Sequence, residues 1–152
     1  MRISNRSNVD SFIVMDVMEQ ARQEEESGRN IVHMEVGQPG TPAPTGAIKA
    51  LSKKMKTDSL GYTVALGLPF LRNKISELYK KWYNLELNPD RVIVTSGSSG
   101  AFLLAFTSLF DKGSKVGIGA PGYPSYRQIL KALDIDPIII KTTYEDKFQI
   151  TS

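Results

Sequence analysis

Leu68, Leu71, Ile75, Leu78 and Trp82 recur at intervals of three and four, the spacing of one helix face. Pro69 suits the first turn of that helix, and Trp82 reads as its core anchor. The same rhythm predicts four more helices. One runs from a cap at Asp10 or Ser11 to about Ser27, with Phe12, Ile13, Val17 and Ala21 near helical spacing and Gly28 ending it. A second, Thr45 to Lys56, has Thr45 as cap and Ile48, Leu51 and Met55 on one face. A third begins at Ala101-Phe102-Leu103-Leu104-Ala105-Phe106, apolar on all sides, as a buried helix is. A fourth carries Tyr126, Ile129, Leu130 and Leu133.

Between the helices lie short apolar runs. Ile31 to Val36 alternates loosely and predicts a strand. Val92-Ile93-Val94 and the β-branched Ile138-Ile139-Ile140 predict buried strands, and Lys115 to Gly119 a short strand between them. Strand, helix, strand, helix, strand in this rhythm predicts an α/β domain with a mostly parallel sheet. Ligands of such sheets bind where strands turn into helices.

Two unusual stretches lie at such turns. Thr95-Ser96-Gly97-Ser98-Ser99-Gly100 is small throughout and precedes the all-apolar helix. A helix start presents free backbone N–H groups and partial positive charge, which suits a phosphate dianion, and serine hydroxyls add donors. The plainer reading is an ordinary turn with Ser99 as N-cap. It is not a P-loop, since no lysine follows the glycine, nor is it a GxGxxG turn. The second stretch is Ala120-Pro121-Gly122-Tyr123-Pro124. Gly37-Gln38-Pro39-Gly40-Thr41-Pro42-Ala43-Pro44 is a further rigid loop, closed to helix and interior strand by its prolines.

Composition narrows the classes. Hydrophobic residues make up 41% of the 152-residue chain and charged residues 23%, as in a globular protein with a real core. The net charge of +3 is scattered, and the clusters Lys53-Lys54 with Lys56 and Lys80-Lys81 lack interleaved aromatics, so no nucleic-acid site is expected. Cysteine is absent and His33 is the single histidine, so neither disulfides nor a metal site are expected. No run approaches membrane-spanning length and no signal-peptide pattern opens the chain, so the expectation is a cytoplasmic protein with no membrane partner.

Four stretches in order resemble the class I/II aminotransferases, the fold-type I enzymes that use pyridoxal phosphate. They are VGQPGTPAP at Val36 to Pro44, LGYTVALGLPFLRNKI at Leu60 to Ile75, VTSGSSGA at Val94 to Ala101, and APGYPSY at Ala120 to Tyr126. The resemblance covers nearly the whole chain. It implies an N-terminal arm, helix and substrate-side loop belonging to the small domain at 1–44. Residues 45–152 would be the first, incomplete part of the cofactor-binding large domain.

The resemblance also implies site roles. Ser98 and Ser99, with Gly97 in the turn, hold the phosphate of pyridoxal 5'-phosphate, and Tyr123 stacks on its ring. Tyr62 reaches the phosphate of the neighbouring subunit in a homodimer, and Gly37 lies against the substrate carboxylate. The implied activity is amino transfer between an amino acid and a 2-oxo acid. The family's Schiff-base lysine has no counterpart in a matching context here: Lys141 follows the third predicted strand and leads only into the tail. No catalytic residue is therefore assigned. The chain is expected to be the N-terminal portion of an aminotransferase, inactive alone, with sheet edges and apolar helix faces uncovered. Two other readings stay open: a non-catalytic phosphate-ligand-binding α/β domain, and a lyase or synthase of the same fold.

Overall fold

The computed structural model describes residues 3–151. Five helices and two strands follow in order: α1 Ile13–Glu26, α2 Thr45–Met55, α3 Pro69–Tyr83, α4 Gly97–Leu109, β1 Lys115–Ala120, α5 Pro124–Ala132 and β2 Asp136–Lys141. Short 3-10 turns stand at Asn5–Ser7 and Pro89–Arg91. All five predicted helices form within a few residues of their expected limits. The chain divides into two units. One takes the described residues up to Gly37 with those from Ser96 onward; the other is Gln38–Thr95.

The first unit is built on β1, α5 and β2. The two strands pair in parallel from Lys115 opposite Asp136 to Ala120 opposite Lys141. Parallel neighbours need a crossover, and α5 supplies it. Its apolar face turns inward: Leu130 is fully buried and Ile135 nearly so, which puts the core between α5 and the strands. Asp134 closes the turn after α5 in the left-handed region (φ 58°), which Asp tolerates better than most residues. Its carbonyl accepts from the Gly113 N–H at 2.7 Å. The Arg6 guanidinium, 2.9 Å from its carboxylate, holds that carboxyl below its ordinary range.

The second unit is held by Arg72 of α3, only 8% exposed. Its Nε donates to the carbonyls of Pro89 (3.1 Å) and Val92 (2.9 Å). Its Nη2 donates to Pro89 O (2.7 Å) and Asp90 Oδ1 (2.9 Å). Asn84 ends α3 in the left-handed conformation, and its N–H bonds the carbonyl of Lys80 at 3.0 Å.

Several expectations are corrected. Val92–Val94 is not a strand. Arg72 occupies the Val92 carbonyl, the Val92 N–H bonds Pro89, and the Val94 N–H bonds Leu66 O at 3.0 Å, so little is left for a ladder. Ile31–Val36 is irregular too, tied down through His33 instead. The first helix is entered at Phe12, which has no polar side chain to cap it, and Ser11 Oγ donates to the Asp16 carboxylate (2.7 Å). Trp82 is 64% exposed rather than a core anchor, and packs edge-on against Tyr83. The α4 helix is not buried. It lays Phe102 against α5, while Leu103, Leu104 and Leu109 face outward. Ile138, Ile139 and Ile140 are exposed as well, so the uncovered sheet and helix faces that were expected are present.

Candidate functional site

The first turn of α4 carries the Ser/Gly stretch. Ser96 is the N-cap residue and makes no side-chain capping bond; the expected cap, Ser99, lies three residues inside the helix. The reason is Gly97. Its φ of +74° lies in the left-handed region, which lets the helix begin one turn earlier than a serine cap at 99 requires. A Cβ at Gly97 would meet nothing within 4 Å, so glycine serves the backbone angle there and not close packing. Ser98 and Ser99 are exposed, and the first turn holds no acidic side chain. An exposed helix start whose first turn carries no carboxylate can receive an anion on backbone N–H groups such as those of Ser98 and Ser99.

Tyr123 is the N-cap of α5 and reaches it from the Ala120–Pro121 bond, which is cis. The residue is 47% exposed. Phe12 meets it at 5.9 Å with planes 85° apart, and Tyr126 at 5.4 Å with planes 74° apart. Beside it lies a cavity of about 260 Å³ lined by Ile118, Gly119, Pro121, Gly122 and Arg127 among others. Gly122 is needed for close approach, because a Cβ there would stand 2.5 Å from the Gly119 carbonyl oxygen.

A chain of rings joins the two turns. Phe102, one helical turn after Ser98, lies 4.5 Å from Tyr126, and Tyr126 touches Tyr123. The other two expected site residues stand apart. Tyr62 is fully exposed and belongs to the second unit, in the irregular stretch before α3. Gly37 ends the first segment of the first unit, exposed, with open space where a Cβ would be. The roles of Phe12, Phe102 and Tyr126 were missed in the sequence. Tyr126 stood out only as a helix-face residue, although its three-residue offset from Tyr123 is the spacing at which helical side chains meet.

Residues 29–152 match the family described as aminotransferase class I and II. The chain belongs to the class I and II aminotransferase family. It is 39% identical over 151 residues to the valine–pyruvate aminotransferase of Mycobacterium tuberculosis, covering 99% of this chain and 39% of that protein. Among solved structures it resembles an aminotransferase from Mycobacterium tuberculosis, with a TM-score of 0.94 at 39% identity. That match covers 99% of this chain and 39% of the other. It also resembles a protein from Silicibacter pomeroyi described as an aminotransferase, with a TM-score of 0.85 at 57% identity over 99% of this chain and 38% of that one. The fold is thus the α/β fold of fold-type I aminotransferases, and the chain spans about 39% of the length of the curated relative. Among the described residues, no helix is long and apolar enough to cross a membrane.

Proposed function

We propose that this chain supplies the phosphate- and ring-binding part of a pyridoxal-phosphate-dependent aminotransferase. In this reading, residues 1–44 contribute to the small domain and residues 45–152 to the first part of the cofactor domain. The observation that carries it is the exposed first turn of α4 at Ser98 and Ser99, free of acidic side chains, in the same unit as the half-exposed Tyr123.

The residues present fit such a group. A phosphate dianion suits the N–H groups of Ser98 and Ser99, aided by a serine hydroxyl and by the helix dipole. A flat ring suits an aromatic face whose own plane is held by neighbours, as Tyr123 is held by Phe12 and Tyr126. Bound there, pyridoxal phosphate supplies an amino-group carrier and electron sink for exchange between an amino acid and a 2-oxo acid. The chain's own task is to bind and orient. The α4 turn fixes the phosphate end, and Tyr123 fixes the ring plane. Gly37 leaves room for a substrate carboxylate against backbone, and exposed Tyr62 is free to reach the phosphate site of a second subunit in a homodimer.

The test uses the deoxy analogue of pyridoxal phosphate, which keeps ring and phosphate but has a methyl in place of the aldehyde. It cannot react with surface lysines. Saturable binding competed by inorganic phosphate, and weakened by both Ser98→Pro and Tyr123→Ala, is the expected result. Binding indifferent to both substitutions overturns the reading.

A further inference from the structure

Residues 6–12 do not trail from the first unit; they lie along α5. Arg6 Nε pairs with Asp134 Oδ2 at 2.9 Å, past the C-terminal end of that helix. The Asp10 carboxylate meets Lys131 Nζ at 3.2 Å, one turn back. The Ser11 carbonyl accepts from Gln128 Nε2 at 3.0 Å, nearly another turn back. Phe12 then reaches Tyr123, at the helix's N-terminal end, with ring centroids 5.9 Å apart. Residues 6, 10, 11 and 12 thus meet 134, 131, 128 and 123 in turn, antiparallel to α5. The far side of Phe12 is anchored too. Its carbonyl accepts the Met15 N–H at 2.8 Å as α1 begins, and Ser11 Oγ donates to Asp16 at 2.7 Å.

We propose that Phe12 is a positioning residue for Tyr123: residues 6–12 form a strap along α5, and the ring at its end sets the plane in which Tyr123 meets a flat ligand. The proposal rests on the reading of Tyr123 as the ring-stacking residue. The geometry accounts for an otherwise odd arrangement. Tyr123 is half exposed, and an exposed ring turns freely unless something fixes it. Two rings at steep angles to its plane, Phe12 and Tyr126, bracket it and leave area for a ligand. Tyr126 is held by the fold itself, through Phe102 and α5. Phe12 depends on the strap, which is held by side-chain contacts. The tilt of Tyr123 is therefore set by the strap, and the phosphate turn on α4 is not.

The experiment compares Phe12→Ala, Phe12→Tyr, Tyr123→Ala and the strap variant Arg6→Gln/Asp10→Asn in the purified protein. Two probes are titrated separately: the deoxy analogue of pyridoxal phosphate, and inorganic phosphate alone. The readouts are each dissociation constant and the induced circular dichroism of the bound analogue per ligand bound. Phe12→Ala is expected to weaken the analogue about three- to tenfold, the scale of one aromatic contact, and to change its dichroism. Its affinity for inorganic phosphate stays as in the wild type. Phe12→Tyr restores both, and the strap variant shifts the dichroism in the same direction by less.

If Tyr123→Ala weakens the analogue while Phe12→Ala changes neither readout, the proposal is overturned and the stacking reading stands. If Tyr123→Ala changes nothing, the stacking reading falls and takes the proposal with it. Equal loss of analogue and inorganic phosphate in Phe12→Ala marks a structural role and overturns the proposal. Should Phe12→Ala fail to fold, the strap variant decides: unchanged dichroism there overturns it.

Discussion

The Phe102 ring lies 4.5 Å from that of Tyr126, tilted by 59°, and this pair ties the second turn of α4 to the first turn of α5. Phe102 also meets Phe106, and Tyr126 meets Tyr123 edge-on, so the pair sits mid-way in a continuous row of rings. Removing it should loosen both turns at once. Phe102→Ala is expected to lower stability by about 2 kcal/mol, less than a fully buried phenylalanine because the ring is only half-buried. Tyr126→Ala should act alike, and the double variant should cost less than the two singles added. Urea unfolding of the four proteins gives the coupling directly, and strict additivity would show that the rings stand independently.

The helix start at Gly97 gives an asymmetric prediction. Gly97→Ala meets open space but forces an alanine to a φ of +74°, so it should cost about 1 to 2 kcal/mol and weaken inorganic phosphate binding. Ser96→Ala should cost well under the roughly 1 kcal/mol of an ordinary cap substitution, because the Ser96 side chain makes no capping bond. Thermal melts and phosphate titrations of the two variants check both halves. Equal losses would mean that Ser96 caps the helix after all.

What the sequence made legible follows from what is local in it. The α3 stripe of Leu71, Ile75 and Leu78 and the proline before it are local facts, and the helix formed where they stand. A strand is a relation to a partner, which apolar residues alone do not announce. Lys115–Ala120 and Asp136–Lys141 have each other; Val92–Val94 has Arg72 instead. The Ser/Gly turn was readable as a helix start, but its cap was misplaced because nothing in the order of residues says that Gly97 takes a positive φ. The strap was invisible for a different reason: Arg6 and Asp134 lie 128 positions apart, and no periodicity links them.

Arg72 carries the second unit's clearest energetic consequence. Its guanidinium serves two carbonyls and one carboxylate, from a side chain that is largely buried. Arg72→Met keeps the stem but takes the side-chain donor from the Val92 carbonyl and leaves the Pro89 carbonyl with only the Val92 N–H. The expected loss is about 2 to 4 kcal/mol. Arg72→Lys keeps the charge but not the planar fork, and should recover less than half of it. Denaturant midpoints are the measurement, and a lysine variant as stable as the wild type would show that charge alone suffices.

His33 joins α1 to the segment that leads into Gly37. Its Nδ1 is 2.7 Å from Glu35 Oε1, and its Nε2 is 3.0 Å from Glu25 Oε1. Only the protonated ring can donate to both carboxylates, since the neutral ring has one donor. Glu35 first, and then Glu25, therefore raise the pKa of His33 above its ordinary value, and His33 in turn lowers that of Glu35. The sign of the effect follows. A group whose folded pKa is raised adds stability that is fully present below the unfolded value, about 6.5. That stability is lost as pH rises through the higher folded value. The protein should thus lose stability from about pH 6.5 upward, and amides of the 31–36 segment should exchange faster over the same range. The contact is exposed, so the change is small and salt-sensitive. His33→Gln should flatten the profile, since glutamine does not titrate, and Glu35→Gln should shrink it more than Glu25→Gln. Urea midpoints and amide exchange across this range test the idea, and a His33→Gln profile parallel to the wild type would sink it. Because the segment ends at Gly37, the same titration should loosen the approach to the loop proposed to meet the substrate carboxylate.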